Sequence, residues 1–554
     1  MPGVRQLSAL KTRKDAALQS FLIPTPQHLN NGEENQYRNE QNQLNYIANF
    51  SKGLPHDYHT GEVHGDTYKK FQRQLLAGHP AQFDVELGMP PGEGRLFVNP
   101  FAGLCFDLEG PDSVCQGMPP APRIDSAEGA AELGEVYWMT LLRDINFTEF
   151  DDNSDVLAAC DSLSDEFSDY RGSKDSNGRV TPKTLFRGVT TGDLVGPYIS
   201  QFLLQGSSDL KLDGIIKYGS LTIQQKQKTV IANQDYLADW SSFLNVQNGL
   251  KTFGQDQFDE TPRFVRNLRD LANYVHFDQL YQAYLNACLL MFAAGVPFDT
   301  GNPYLDSTCQ HGFITFGAPH VMTLLAEVST RVLKAVWYQK WFVHRRLRPE
   351  AFAGLVHRIK TQNASYPVQE DILNSSVLDR IYQHNRKQNG PEATYLLPQV
   401  YPEGSPLHPA YGAGHSALAG ACVTILKAFF DESFIMDDPV IPNHDGTVLE
   451  KYSPATGPPP PPGDEGDDDS VEPNQSGCHH PEDKVLTIGG ELNKLAANMS
   501  IGRNMAGVHY LTDYTEALKL GEAVAIGILQ EQRLTFNEDH FFNLTKFDGT
   551  VITI

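Results

Sequence analysis

Three short stretches concentrate imidazoles and cations in a chain that is otherwise acidic. "HPAYGAGH" (408–415) sets His408 and His415 around a tyrosine and two glycines, directly ahead of the apolar run 416–430. "KWFVHRRLRPE" (340–350) closes a long amphipathic pattern with Lys340, His344, Arg345, Arg346 and Arg348, and "GRNMAGVHYLTD" (502–513) carries Arg503, His509 and Asp513. A basic run is usually a solvated face. Here the whole chain holds 44 Lys plus Arg against 68 Asp plus Glu, a formal charge of −24, so so dense a cationic cluster calls for a counter-charge.

Spacing suggests how that counter-charge is held. Lys340 and Arg348 are eight residues apart, about 12 Å along a helix axis, and Pro349 reads as the end of that helix, with Arg348 beside it. Both long side chains can converge on one anion from that separation. Arg503 and His509 are six residues apart, about 240° around a continuous helix, so they share a site only if the helix breaks between them. Gly507 supplies the break, and Asp513, one turn beyond His509, is placed to hold its imidazole. Three strong cationic donors, a glycine-rich turn offering N–H groups at a helix start, and two or three imidazoles make a pocket for a small tetrahedral oxyanion. Phosphate and vanadate both fit that description. The competing reading is a purely structural ion-pair network.

These residues must be positioned by helices. Apolar residues recur at three- and four-residue intervals over 130–145, 263–295, 318–346, 417–430, 489–504 and 514–534, which predicts a mainly α protein with a helix-on-helix core. Strand-like text such as 215–226 is short and peripheral. Residues 1–125, rich in Gly, Pro, Asn and Gln, read as an extended N-terminal arm with peripheral elements, and 126–554 as the helical core. A proline and acidic stretch at 453–483 reads as a solvated insertion, and Cys478, His479 and His480 fall within it. "HDYHTGEVHGD" (56–66) has neither helical nor zinc spacing and reads as a solvated loop.

Composition narrows the function classes. The acidic balance repels nucleic acid and anionic membranes. The first residues lack the apolar core of a signal peptide and no apolar run is long enough to cross a bilayer, so the expectation is a cytoplasmic or otherwise soluble protein. Seven cysteines lie at 105, 115, 160, 288, 309, 422 and 478, without CxxC spacing. Cys288 and Cys422 read as core residues, and Cys105 with Cys115 as a candidate local bridge.

In chain order, Lys340, Arg348 with Pro349, Gly414 with His415, and Arg503 with His509 and Asp513 resemble the signature shared by vanadium-dependent haloperoxidases and a superfamily of acid phosphatases. Longer stretches, among them "FAGLCFDLEGPDS", "GPYISQFLL", "VHFDQLYQAYLNACLL" and "GELNKLAANMSIGRNMAGVHY", are similar to red-algal-type bromoperoxidases from about residue 30 to the end. The resemblance implies two four-helix bundles and a vanadate cofactor. It implies that His509 bonds to vanadium, that Lys340, Arg348, Gly414, His415 and Arg503 surround its oxygens, and that Asp513 supports from behind. His415 would be the acid and base, Lys340 would polarise bound peroxide, and His408 would tune halide binding or relay protons. The implied reaction consumes hydrogen peroxide and a halide and halogenates a small organic substrate. A homo-oligomer, a dodecamer built from dimers, and calcium near Asp306 are also implied.

Two positions depart from that pattern. Ala413 stands where the family has serine ahead of Gly-His, and Trp337 stands where red-algal relatives carry arginine. The first removes a hydroxyl from the oxyanion site, and the second makes the halide pocket more apolar, which points to bromide and iodide oxidation with weak chloride activity. An acid phosphatase using His509 as nucleophile and a non-catalytic phosphate-binding protein are the alternative readings of the same pocket.

Overall fold

Helical periodicity in the sequence becomes fifteen α-helices among the described residues, which are 2–90, 94–208, 211–252, 254–390, 393–452 and 485–554 of a computed structural model. The expected insertion at 453–483, with Cys478, His479 and His480, lies outside the described residues. In order, the helices are α1 (Pro2–Phe21), α2 (Gly65–Ala77), α3 (Pro80–Leu87), α4 (Ala127–Leu141), α5 (Ser154–Asp165), α6 (Trp240–Gln247), α7 (Leu268–Phe277) and α8 (Gln282–Ala293). There follow α9 (Ala318–Tyr338), α10 (Pro349–Gln362), α11 (Glu370–Asn374), α12 (Ser376–Asn389), α13 (Gly414–Phe429), α14 (Ile488–Met505) and α15 (Leu511–Arg533). Side-chain oxygens of Ser126, Asn153, Asp239, Asn267 and Thr487 cap α4, α5, α6, α7 and α14, satisfying N–H groups that have no partner inside the helix.

The strands are minor. β1 (Ile215–Tyr218) and β2 (Leu221–Gln224) form a hairpin from the strand-like text, and β3 (Val440–Pro442) with β4 (Leu449–Lys451) and β5 (Asn543–Thr545) with β6 (Val551–Thr553) form two more antiparallel pairs. Fold class is therefore mainly α, with the core made by helices.

At the centre α13 packs on α15, α9 and α14. Two glycines set the closest approach. A Cβ on Gly420 would lie 2.1 Å from the Leu518 carbonyl oxygen, and one on Gly521 would lie 1.9 Å from that of Ala417. Only bare backbone fits at that crossing, so the start of α13 and the start of α15 are drawn together.

Two sequence expectations are corrected here. The run 263–295 is two helices, because the chain turns at 278–281 between α7 and α8. The run 318–346 is α9 followed by one π-helical segment, Gln339–His344, which ends at Arg345 in the left-handed region (φ 42°). Pro349 does not end a helix. It is the first residue of α10, where its missing N–H costs nothing, and Arg348 is the N-cap.

Part of the N-terminal region folds onto its own core. Tyr46, Phe50, Tyr68, Phe71 and Phe83 cluster with Trp341 of the π segment. The buried Lys52 ammonium donates to Glu350 at 2.5 Å and to the Ser405 carbonyl at 2.7 Å. The stretch 56–66 is only partly solvated, since His56 is buried with Nε2 3.0 Å from Ser51 Oγ, and burial pushes it down to about 4. By contrast, α1 leaves Val4, Leu7, Leu10, Leu18 and Phe21 exposed. Cys105 and Cys115 are both free, so the candidate bridge does not form, while Cys288 and Cys422 are buried in the core. Among the described residues no helix is long and apolar enough to cross a membrane.

One buried carboxyl on α4 gives the fold a pH dependence. Burial raises Glu135 to about 7, opposed by a 2.6 Å hydrogen bond from the Tyr170 hydroxyl. Its folded value lies above the unfolded one, so its stability contribution is complete below about pH 4 and is lost as pH rises through about 7. Urea unfolding at pH 5 and pH 8 should therefore show Glu135→Gln gaining on the wild type by up to ~3 kcal/mol at the higher pH. Parallel pH profiles for the two proteins would rule this out.

Candidate active site

Three separated segments meet at the N-terminal ends of α13 and α15. Lys340 lies in the π segment, fully buried, and its ammonium donates to the carbonyls of Pro409 and Ala410, both at 2.9 Å. Arg348, the N-cap of α10, donates from Nε to the His408 carbonyl (2.9 Å) and from Nη1 to the Val508 carbonyl (2.7 Å). The same Nη1 donates to His509 Nε2 at 2.9 Å, and Nη2 donates to His408 Nδ1 at 2.9 Å. Arg503, in the last turn of α14, donates to the Val275 carbonyl at 2.9 Å and the Tyr401 hydroxyl at 3.2 Å, and its buried Nε has no protein partner.

His509 sits in the connection between α14 and α15. Gly507 makes that connection possible, with φ +85° and a Cα so close to Gln399 that a Cβ would lie 2.7 Å from its amide nitrogen. The His509 Nδ1–H donates to Asp513 Oδ2 at 2.7 Å, which fixes the tautomer and leaves Nε2 as a lone-pair donor. His415 is the second residue of α13, and its Nε2 stands 3.1 Å from Asp278 Oδ1. Gly414 starts the helix against the half-buried Trp337, whose ring would be 3.2 Å from a Cβ there. His408 packs on the same indole, ring centroids 4.9 Å apart, and the Lys340 ammonium lies 5.6 Å from it.

Thus Lys340, Arg348, Arg503, His408, His415, His509 and Asp513 are brought into one region. The other cations of the 340–348 run brace the scaffold, Arg346 reaching the region only through Asp513. Arg345 pairs with Glu34 at 2.6 Å, Arg346 with Glu132 at 2.6 Å and Asp513 at 3.0 Å, and His344 abuts the Tyr411 ring. The left-handed turn at Arg345 sends alternate side chains to different partners. Asp278 is a member that sequence reasoning missed. Its signal was present in "VHFD", an acid just past the end of α7, but nothing local ties it to His415, 137 residues away.

A cavity of about 620 Å³ opens onto this region, and His408, His415, Arg503, His509 and Trp337 line its inner end. Arg348, which donates to His408 and His509, lies just behind that surface, and Lys340 is buried against the Pro409 and Ala410 carbonyls. Burial pushes Lys340 well below its ordinary value, and the charges of Arg348 and Arg503 push it further, against the pull of Asp513. Burial likewise lowers Arg348 to about 9 and holds His408 and His509 well down, with neighbouring cations adding to each. Asp513, the carboxylate that braces His509, is shared with Arg346, so it offsets the surrounding positive charge only in part. A multiply charged oxyanion reverses each of those penalties, and the donor set of one imidazole lone pair, one ammonium and two guanidinium groups suits vanadate. By contrast, Asp306 is exposed, and among the described residues no group of three or more His, Cys, Asp or Glu side chains gathers as a metal site.

Comparison with known proteins points the same way. A family model described as the VCPO second helical-bundle domain matches residues 382–538. The chain is 40% identical to a vanadium-dependent bromoperoxidase of Corallina pilulifera, covering 98% of this chain and 96% of the relative. It is 35% identical to a vanadium-dependent bromoperoxidase of Ascophyllum nodosum, covering 100% and 93%. The homohexameric structure of the second vanadate-dependent bromoperoxidase (AnII) from Ascophyllum nodosum superposes with a TM-score of 0.88 at 31% identity, covering 100% of this chain and 91% of that one.

Ala413 is the N-cap of α13 and offers no side-chain hydrogen bond. A hydroxyl restored there would meet an oxyanion or an N–H of the helix start, and a hydrogen bond to a charged group is worth roughly 1.5–3 kcal/mol. Equilibrium dialysis with metal analysis should show Ala413→Ser holding vanadate roughly 10- to 100-fold more tightly than the natural chain. Equal dissociation constants would remove the argument.

Proposed function

This chain belongs to the vanadium-dependent bromoperoxidase family, and from that membership we infer that it is a vanadate-dependent haloperoxidase, oxidising bromide with hydrogen peroxide to a hypohalous acid equivalent that halogenates organic molecules. The observation that carries the reading is the placement of His509: braced by Asp513, ringed by Lys340, Arg348 and Arg503, and facing the cavity that His415 also lines.

When bound, vanadate supplies a Lewis-acidic centre that activates peroxide toward halide. The chain's residues do the rest. His509 offers Nε2 as the single protein ligand. Lys340, Arg348 and Arg503 compensate the oxyanion's charge from fixed positions, so no reorganisation is spent at the moment of reaction. His415, oriented by Asp278, takes the proton that hydrogen peroxide must lose and returns one as the product leaves. His408, gripped by Arg348 and packed at a tilt against Trp337, stands where a halide would approach, so both residues set halide preference. Iodide belongs with bromide as a substrate, and chloride is the poor one.

An acid phosphatase, or a protein that only binds phosphate, draws no support from relatives that carry the bromoperoxidase name. Self-association follows from two observations: α1 exposes Val4, Leu7, Leu10, Leu18 and Phe21 along its length, and AnII is a homohexamer. A homo-oligomer is the corresponding assembly here, with a dodecamer as the form implied by the red-algal resemblance.

Protein stripped of metal and then given vanadate, bromide, peroxide and a phenolic dye should brominate the dye only in the presence of vanadate, and excess phosphate should compete. Phosphate release from a phosphomonoester without such bromination would support the phosphatase instead. Trp337→Arg should change the bromide-to-chloride rate ratio by about tenfold or more, since it swaps an apolar wall for a cation beside the halide path. An unchanged ratio would detach Trp337 from halide choice.

A further inference from the structure

A third imidazole–carboxylate pair faces the same cavity, beside His509–Asp513 and His415–Asp278, and the proposed vanadate site does not use it. His276 ends α7, and its Nε2–H donates to Glu403 Oε1 at 2.8 Å. The ring is stacked on Tyr401, centroids 3.8 Å apart and 19° from parallel, which fixes its plane. Glu403 is 5% exposed, and its second oxygen, Oε2, has no partner. Burial raises the Glu403 carboxyl, but the hydrogen bond from His276, a backbone hydrogen bond and the Arg95 charge help to leave it below its ordinary value. His276 Nδ1 therefore remains as the basic nitrogen, oriented from behind by a carboxylate, an arrangement suited to taking a proton.

His276 and Glu403 both line the cavity of about 620 Å³ that reaches His415 and His509. Facing them is an apolar wall from Val98, Leu280, Leu333, Trp337 and Pro406. That space is large enough for a single-ring molecule, and its lining combines aliphatic and indole side chains with the His276 imidazole. The end of α7 thus serves two pairs, His276 with Glu403 and, two residues on, Asp278 with His415.

We propose that this part of the cavity is a binding site for a hydroxyarene substrate, in which His276, backed by Glu403, accepts the phenolic proton while the ring is brominated. The inference rests on the haloperoxidase reading, which supplies hypobromous acid as the oxidant. The ring carbon ortho or para to the hydroxyl donates its electron pair to bromine, a C–Br bond forms, and the Br–O bond breaks with loss of hydroxide. The O–H proton passes to His276 Nδ1 and then neutralises that hydroxide as water. The bromodienone left behind loses its ring proton and regains the hydroxyl, so arene plus hypobromous acid becomes bromoarene plus water.

The test uses the vanadate-loaded full chain and its His276→Gln and Glu403→Gln variants. Triiodide formation from iodide and peroxide, with no organic acceptor, reads halide oxidation and folding together. Phenol and anisole competing in one vessel read the site, with reagent hypobromous acid at the same pH as reference. The expected result is a wild-type phenol-to-anisole product ratio at least about tenfold above the reagent's, falling to the reagent's in both variants. Triiodide formation in the variants should stay within about twofold of wild type. A wild-type ratio equal to the reagent's would overturn the proposal, because bromination would then take place in solution. Variants that keep the excess, or that lose triiodide formation in proportion, would overturn it as well. A wild type that makes no triiodide with vanadate would instead refute the haloperoxidase reading itself, and this proposal with it.

Discussion

One buried carboxylate, Asp513, ties the active region together. Its Oδ2 accepts from His509 Nδ1 at 2.7 Å and from the Tyr510 backbone N–H at 3.2 Å, and its Oδ1 accepts from Arg346 at 3.0 Å. Its backbone carbonyl accepts from the Ala413 N–H at 2.8 Å. Four contacts thus join His509, the turn at the start of α15, the segment leading to α10 and the N-cap of α13. Three hydrogen bonds to its two oxygens, one of them from a guanidinium, offset the cost of burying this carboxylate. Removing it would free Arg346 as well as the His509 imidazole and the turn that carries it.

Arg346 is held in turn by Glu132 on α4, so the register of the site depends on a helix far from it in the chain. The π segment at Gln339–His344 does related work. It places Lys340 against the carbonyls ahead of α13, and the left-handed Arg345 then redirects the chain so that Arg345 and Arg346 face buried acids while Arg348 reaches the histidines. A regular helix through this stretch would have spread the four cations around its axis. Irregular backbone at this point is what separates cations that reach the histidines ahead of α13 and α15 from cations that brace the scaffold.

The cavity lining mixes two kinds of side chain: cations and histidines that suit a highly charged oxyanion, and apolar side chains with the His276–Glu403 pair that suit an organic ring. Arg503 connects them through its hydrogen bond to Tyr401, on which His276 is stacked.

Much of this was legible in the chain itself. Apolar periodicity marked the core helices, because a helix face that is buried must repeat at 3.6 residues. Lys340, Arg348, His415, Arg503, His509 and Asp513 stood out because cations and imidazoles are rare in an acidic chain and Gly507 announced a break. Asp278, His276 and Glu403 were hidden, as were the roles of Arg345 and Arg346, since each is defined by a partner more than a hundred residues away. The mistaken reading of Pro349 has the same origin, as proline favours both the end of one helix and the start of the next, and only the turn at Arg345 chose between them. Sequence determined which residues could do chemistry and which helices carry them, because residue type and local period are properties of neighbours along the chain. Tertiary structure decided which carboxylate holds which cation or imidazole, because that depends on the crossing of α13 and α15 and on which chain segments are packed against it.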